Sequence, residues 1–188
     1  MSNHFKKLCV GVLALSLLGT AHAEQSNQIV HAIARTEGNI TIDGKLDEAA
    51  WQNASRLNLN YTSWPEENAP APQKTEVLYM EDGETLYVAF KAYDTNPDQI
   101  RAFYNRRDFS WDDDLVGIKL DPYNNRRLAF QFFINPFGIQ TDSTENVITG
   151  RESLSWDAIW ESKGELTDFG YVVEVAIPLS TLNFNDQL

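Results

Sequence analysis

The side chains best placed to do chemistry lie in one stretch, Arg106-Arg107-Asp108-Phe109-Ser110-Trp111-Asp112-Asp113-Asp114. An arginine fork can bind two vicinal hydroxyls through parallel N–H groups. Trp111 offers a broad apolar plate with one polar edge, and it stands in a polar loop instead of on an apolar strand face. Three adjacent carboxylates repel one another, an arrangement that makes most sense when a cation or hydroxyl donors neutralise it. Asp113, Gln131 and Asn135 are expected to complement Arg106 and Arg107 as hydrogen-bonding groups, although residues of these types also serve as turn and solvated surface positions.

Catalysis and tightly bound metal find less support. Glycoside hydrolysis needs two carboxylates at a set separation, but with 27 acids in the chain abundance discriminates nothing. No Gly-x-Ser-x-Gly, His-Glu-x-x-His or phosphate-binding glycine loop occurs. Oxygen donors for calcium exist at Asp43, Asp47, Asp94, Asp112, Asp114, Asp121 and Asp142, without EF-hand spacing. Beyond residue 23 there is no cysteine and only one imidazole, His31, which excludes zinc and iron–sulfur sites from that part.

Strands must position these groups. Leu57, Leu59 and Tyr61 alternate with polar neighbours, and β-rich runs cover Val77 to Met80, Thr85 to Tyr93, Leu115 to Leu120, Leu128 to Ile134 and Tyr171 to Ile177. The Asp82-Gly83 pair predicts a hairpin, because glycine accepts the positive φ of a tight turn. Asp121-Pro122-Tyr123-Asn124-Asn125, Asn135-Pro136-Phe137-Gly138 and Thr167-Asp168-Phe169-Gly170 read as turns. Short strands at this spacing predict an all-β, antiparallel two-sheet sandwich. One short N-terminal helix is expected after Leu46, with Asp47 capping it, Glu48 at its positive end and Leu46 stapled to a structural Trp51. The Trp64-to-Pro72 segment, with three prolines, reads as a surface loop that exposes Trp64.

Composition bounds the partners. Residues 1–23 hold Lys6 and Lys7, an apolar run from Leu8 to Leu18 and the small-residue close Ala21-His22-Ala23. This is the pattern of a secretory signal cleaved after Ala23, placing the rest in the periplasm, at the cell surface or outside the cell. Cys9 precedes most of the apolar run, which argues against a lipoprotein. The remaining 165 residues hold 13 basic and 27 acidic side chains, a balance of −14. Nucleic acid and anionic membranes select the opposite charge, so neither is an expected partner. A chain of this size buries enough surface to need no disulfide, and 24–38 reads as an N-terminal segment ahead of one domain over 39–188.

Four motifs then occur in order: Ile42-Asp43-Gly44-Lys45-Leu46-Asp47-Glu48 with Trp51, Leu86-Tyr87-Val88-Ala89 followed by Asp94, Trp111-Asp112-Asp113-Asp114, and Val172-Val173-Glu174-Val175-Ala176-Ile177-Pro178. From about Ile40 to Leu182 the chain resembles the family 9 carbohydrate-binding modules, jelly-roll sandwiches of the DOMON-like group. The stretch with Asp121-Pro122, Asn135-Pro136-Phe137-Gly138, Asp142, Trp156-Asp157-Ala158-Ile159-Trp160 and Ile177-Pro178-Leu179 is similar to the N-terminal domain of bacterial outer-membrane proteins whose C-terminal β-barrel is absent from this sequence. The resemblance implies a non-catalytic domain that binds poly- or oligosaccharide in the service of carbohydrate breakdown, often beside hydrolases of O-glycosyl bonds. In such modules two tryptophans clamp a terminal sugar. Trp111 matches one, loop-borne Trp156 is the candidate for the other, and Trp160 reads as core. Structural calcium is a further expectation, without assigned ligands. Two alternatives stand beside sugar binding: a docking or plug domain that binds protein, and a haem domain with His31 and Met80 as axial ligands.

Overall fold

The computed structural model describes residues 31–182; the expected signal segment lies outside the described residues. Ten strands form two sheets. In chain order they are β1 (Ala34–Arg35), β2 (Ser55–Asn58), β3 (Thr75–Glu81), β4 (Thr85–Tyr93), β5 (Val116–Leu120), β6 (Leu128–Ile134), β7 (Gln140–Asn146), β8 (Arg151–Ser153), β9 (Glu161–Thr167) and β10 (Gly170–Pro178). The six-stranded sheet runs β1-β3-β4-β10-β9, with β2 also on β3, and the four-stranded sheet runs β5-β6-β7-β8. All pairings are antiparallel except the two-residue β1–β3 match, so the expected two-sheet sandwich is the observed fold.

Alternation decides what each sheet buries. Val88 and Phe90 of β4, Val173, Val175 and Ile177 of β10, and Phe130, Phe132 and Ile134 of β6 point into one shared core, and complete burial of each such side chain is worth about 1.5–3 kcal/mol. The intervening residues point to the two outer faces. The connection from β8 to β9 crosses between the sheets and inserts Ala158 and Trp160 into the core, with half-buried Trp156 against it.

The outer face of the six-stranded sheet is covered. A second apolar cluster joins Leu78, Met80 and Ala89 of that face to Trp51 and Ala54, with Ile40, Leu46 and Tyr87 packed around it. At its centre Glu174 is 0% exposed. Its carboxylate accepts from the backbone N–H of Asp43 (3.0 Å) and Gly44 (2.7 Å) and from Trp51 Nε1 (3.1 Å). Gly44 has φ +92° and is packed against Lys163, Gly164 and Glu165, which a left-handed turn at this close approach requires. Residues 40–54 thus form a strap sealed onto the sheet.

The strap's helix, α1, is one turn, Ala50–Asn53, capped by Ala49 without a side-chain bond. Asp47 is therefore not its cap. Glu48 instead turns back to accept from the Thr41 N–H (2.9 Å), closing the strap as a loop. Leu46 and Trp51 do meet in one cluster, and Trp51 is structural. The Asp82-Gly83 hairpin forms with Gly83 at φ +98° and Asp82 Oδ1 accepting from the Glu84 and Thr85 N–H groups.

Candidate functional site

The outer face of the four-stranded sheet is built from different chemistry. On β6, Phe130, Phe132 and Ile134 face inward, so Ala129, Gln131 and Phe133 face out. The register sets Gly117 opposite Phe133 and Lys119 opposite Gln131 on β5, then Thr141, Ser143 and Glu145 on β7, with Glu152 of β8 opposite Glu145. Phe133 lies over β5 because Gly117 has no side chain: a Cβ there would stand 2.4 Å from the Phe133 ring. Trp111 then packs edge-on against Phe133, ring centroids 5.4 Å apart and planes at 62°, and remains 45% exposed. The result is an aromatic plate held by a second aromatic.

Beside that plate is a polar platform. Gln131 is 0% exposed. Its Nε2 donates to Glu145 Oε2 (2.9 Å) and Glu152 Oε1 (3.1 Å), and its Oε1 accepts from the Ser143 hydroxyl. Lys119 Nζ donates to the same Glu145 oxygen at 2.8 Å, with half of its side chain exposed. Gln131 therefore does not itself present a hydrogen-bonding group; it lies underneath and fixes the carboxylates that do. Lys119, Phe133, Glu145 and Glu152 are absent from the sequence-based candidates. The signal that could have found them is the single glutamine in the otherwise apolar run Leu128 to Ile134, read with the period-two register.

The other candidates hold the loop that carries Trp111. Asp113 is nearly buried, and its Oδ2 accepts from Asn135 Nδ2 (2.8 Å), the Phe103 N–H (3.3 Å) and Asn105 Nδ2 (3.4 Å). Asn135 is fully buried, also donates to the Phe103 carbonyl (2.9 Å), and accepts from the Phe137 and Ile139 N–H groups. Arg107 bonds Gln140, Asp142 (2.5 Å) and the Ala158 carbonyl (2.7 Å) and pairs with Asp157 (3.0 Å), so its fork is occupied within the protein. Burial pushes the Asp142 carboxyl up, against the opposing effect of the Ala158 N–H and Arg107. Arg106 is exposed, its guanidinium 4.3 Å over the Phe109 ring. Tyr104 in the same loop stacks on Phe137 at 4.4 Å and is itself largely exposed.

The expected clamp of Trp111 with Trp156 is corrected by this geometry. Trp156 packs on Phe130 (4.7 Å) and Phe132 (5.7 Å), the inward side of β6, whereas Trp111 packs on the outward Phe133. The two indoles are on opposite faces of one strand and do not confront each other. Trp160 is core, against Phe132 at 5.2 Å. Trp64 is 82% exposed on the β2–β3 loop. His31 borders the apolar groove between the sheets, while Met80 lies under the strap on the far side of its sheet, so the suggested axial pair is not brought together. Among the described residues no group of three or more His, Cys, Asp or Glu is arranged to hold a metal ion.

The sequence model of the family described as carbohydrate family 9 binding domain-like matches residues 42–187. A family 9 carbohydrate-binding module from Caldicellulosiruptor kristjanssonii, solved with cellotriose, superposes with a TM-score of 0.55 at 23% identity over 79% of this chain and 67% of that one. The same kind of module from that organism, solved with glucose, gives 0.54 at 22% identity over 81% and 70%. A protein of Bacteroides uniformis ATCC 8492, provisionally named as carbohydrate-binding, gives 0.53 at 13% identity over 70% and 63%, so the chain spans about two thirds of these structures. No curated protein matches.

Proposed function

The chain belongs to the carbohydrate family 9 binding domain-like family, and from that premise we propose that it binds oligosaccharide on the outer face of the four-stranded sheet, with Trp111 as the stacking plate. The observation that supports this reading most is the exposed indole braced on Phe133 beside a platform of partnered carboxylates. A pyranose has C–H faces and hydroxyl rims, which match an aromatic plate and a row of acceptors respectively. Among the described residues no strap crosses this face, unlike the opposite one. Glucose and cellotriose, bound by the Caldicellulosiruptor modules, are the first ligands to try.

In this reading the domain performs no chemistry. It is exported after cleavage at Ala23 and raises the local concentration of polysaccharide for a linked or partner protein that degrades it. Titration of the purified domain with cellotriose is expected to change tryptophan fluorescence saturably, and Trp111→Ala to abolish the change while circular dichroism stays native. Absence of binding across neutral, acidic and amino sugars would turn the reading towards a protein-docking domain.

A further inference from the structure

Building on the carbohydrate reading, we infer that the site selects its ligand by charge, taking sugars that present hydroxyl or ammonium donors and excluding those that carry carboxylate or sulfate. Each of the platform's side-chain donors is matched by a carboxylate of the platform itself. Both bonds from Gln131 Nε2 go to Glu145 and Glu152, and the Lys119 ammonium is matched by Glu145 at 2.8 Å. What faces solvent beside Trp111 is therefore mostly acceptor: Glu152, the outer edge of Glu145 and exposed Asp112, the residue that follows the plate, whereas the Asp114 carboxylate accepts from the Arg101 N–H (2.9 Å). A carboxylate oxygen cannot donate, so a ligand must bring the protons.

The nearby cations do not reverse this. Lys119 has N–H groups to spare, but an anion reaching them would lie beside Glu145 and Glu152. Arg106 is drawn over Phe109, and Arg107 is spent on Gln140, Asp142, Ala158 and Asp157. Phe133 and Gln131 are two residues apart on one face of β6, about 7 Å along the strand. An oligosaccharide stacked on Trp111 and extended along β6 thus crosses the platform. The strap provides an internal precedent: a carboxylate at the centre of the other sheet face is satisfied wholly by N–H donors. Like charges brought together without compensation are strongly disfavoured in an interface.

The test uses the full chain and three neutral trisaccharides, of gluco, manno and galacto configuration, each matched with its uronate and 2-amino counterpart, followed by calorimetry at low salt. The expected order is amino sugar equal to or tighter than neutral sugar, with the uronate at least about tenfold weaker, a gap of about 1.4 kcal/mol. Glu152→Gln is expected to narrow that gap several-fold while changing neutral-sugar affinity less, and 0.5 M salt to narrow it as well. Because Glu152 lies exposed on the three-residue β8, the variant should fold, which its far-ultraviolet spectrum checks. Uronates bound as tightly as their neutral counterparts, or a gap indifferent to Glu152→Gln, would overturn the charge selection while leaving sugar binding intact. Failure of all nine sugars to bind would overturn the carbohydrate reading itself, and the selection with it.

Discussion

The two outer faces of the sandwich are built on one plan with opposite outcomes. Each has a fully buried polar side chain near its centre, Glu174 on one and Gln131 on the other, and each has a tryptophan, Trp51 bonded to Glu174 and Trp111 packed on Phe133, two residues from Gln131. Over Glu174 the chain supplies its own cover, two backbone N–H groups and an indole N–H. Over Gln131 it supplies only side chains, Ser143, Glu145 and Glu152, and leaves the indole exposed. The strap shows what a satisfied face of this sandwich looks like, and the platform shows, among the described residues, the same elements without a backbone cover. Stability is therefore expected to reside on the first face and binding on the second.

The largest effect should separate the two tryptophans. Trp51 is 2% exposed in the strap cluster, so Trp51→Ala is expected to cost about 3–5 kcal/mol in urea denaturation. Trp111→Ala gives up mainly its edge contact with Phe133, about 1 kcal/mol, while removing sugar binding. Equal losses of stability from the two variants would break the comparison.

Acid should act on the strap face through Glu174. Burial, with Glu48 and Asp43 nearby, pushes its carboxyl from 4.5 up to about 7, against the pull of the Gly44 and Asp43 N–H groups. The folded state thus holds this proton more tightly than the unfolded chain does. The stabilisation is fully present below pH 4.5 and is lost as pH rises through about 7. Between pH 8 and pH 5 the protein should gain on the order of 1–3 kcal/mol. Asp142, also raised by burial, contributes in the same direction. Glu174→Gln should flatten most of this slope, whatever its fixed cost. A variant with an unchanged slope would show that the titration lies elsewhere.

Much of the scaffold was legible in the sequence, and the reason is patterning. Thr85 to Tyr93 and Leu128 to Ile134 alternate or run apolar, and they form strands at those same bounds. β7 (Gln140–Asn146) and β9 (Glu161–Thr167) escaped because their sequences are polar. Asp142 is buried not by apolar pairing but by Arg107 and the Ala158 N–H, a tertiary arrangement that no period reveals. The candidate loop around Trp111 could be read from residue types. Its partners could not, because Asp113 and Asn135 belong to a buried network that only the folded loop assembles, and because the face on which Trp156 lands depends on the crossing from β8 to β9.

Gly117 sharpens the comparison from the binding side. An added methyl would meet Phe133 at 2.4 Å and the Phe132 carbonyl at 2.9 Å. Overpacking of this kind costs about 1–3 kcal/mol, offset in part by the backbone entropy that alanine saves in a strand. Gly117→Ala is expected to cost about 1 kcal/mol net, to shift the Trp111 emission maximum, and to weaken sugar binding while the strap stays intact. An unchanged emission spectrum would mean that Phe133 does not set the pose of Trp111.

The smallest expected effect distinguishes how a carboxylate is held on each of the two faces. Glu174 is bound by neutral N–H donors in a buried site, whereas Glu145 shares one oxygen between Gln131 and the half-exposed ammonium of Lys119. An ion pair with that exposure is worth about 0.2–1 kcal/mol and is screened by salt. A double-mutant cycle with Lys119→Met and Glu145→Gln should therefore return a coupling in that range at low ionic strength, falling towards zero at 0.5 M salt. The response of Glu174→Gln to the same salt should be small, because its partners are backbone and indole. A coupling of about 2 kcal/mol or more that ignores salt would make Lys119 and Glu145 part of a sealed core. The second face would then be as closed as the first, and Trp111 would have no platform beside it on which to orient a sugar.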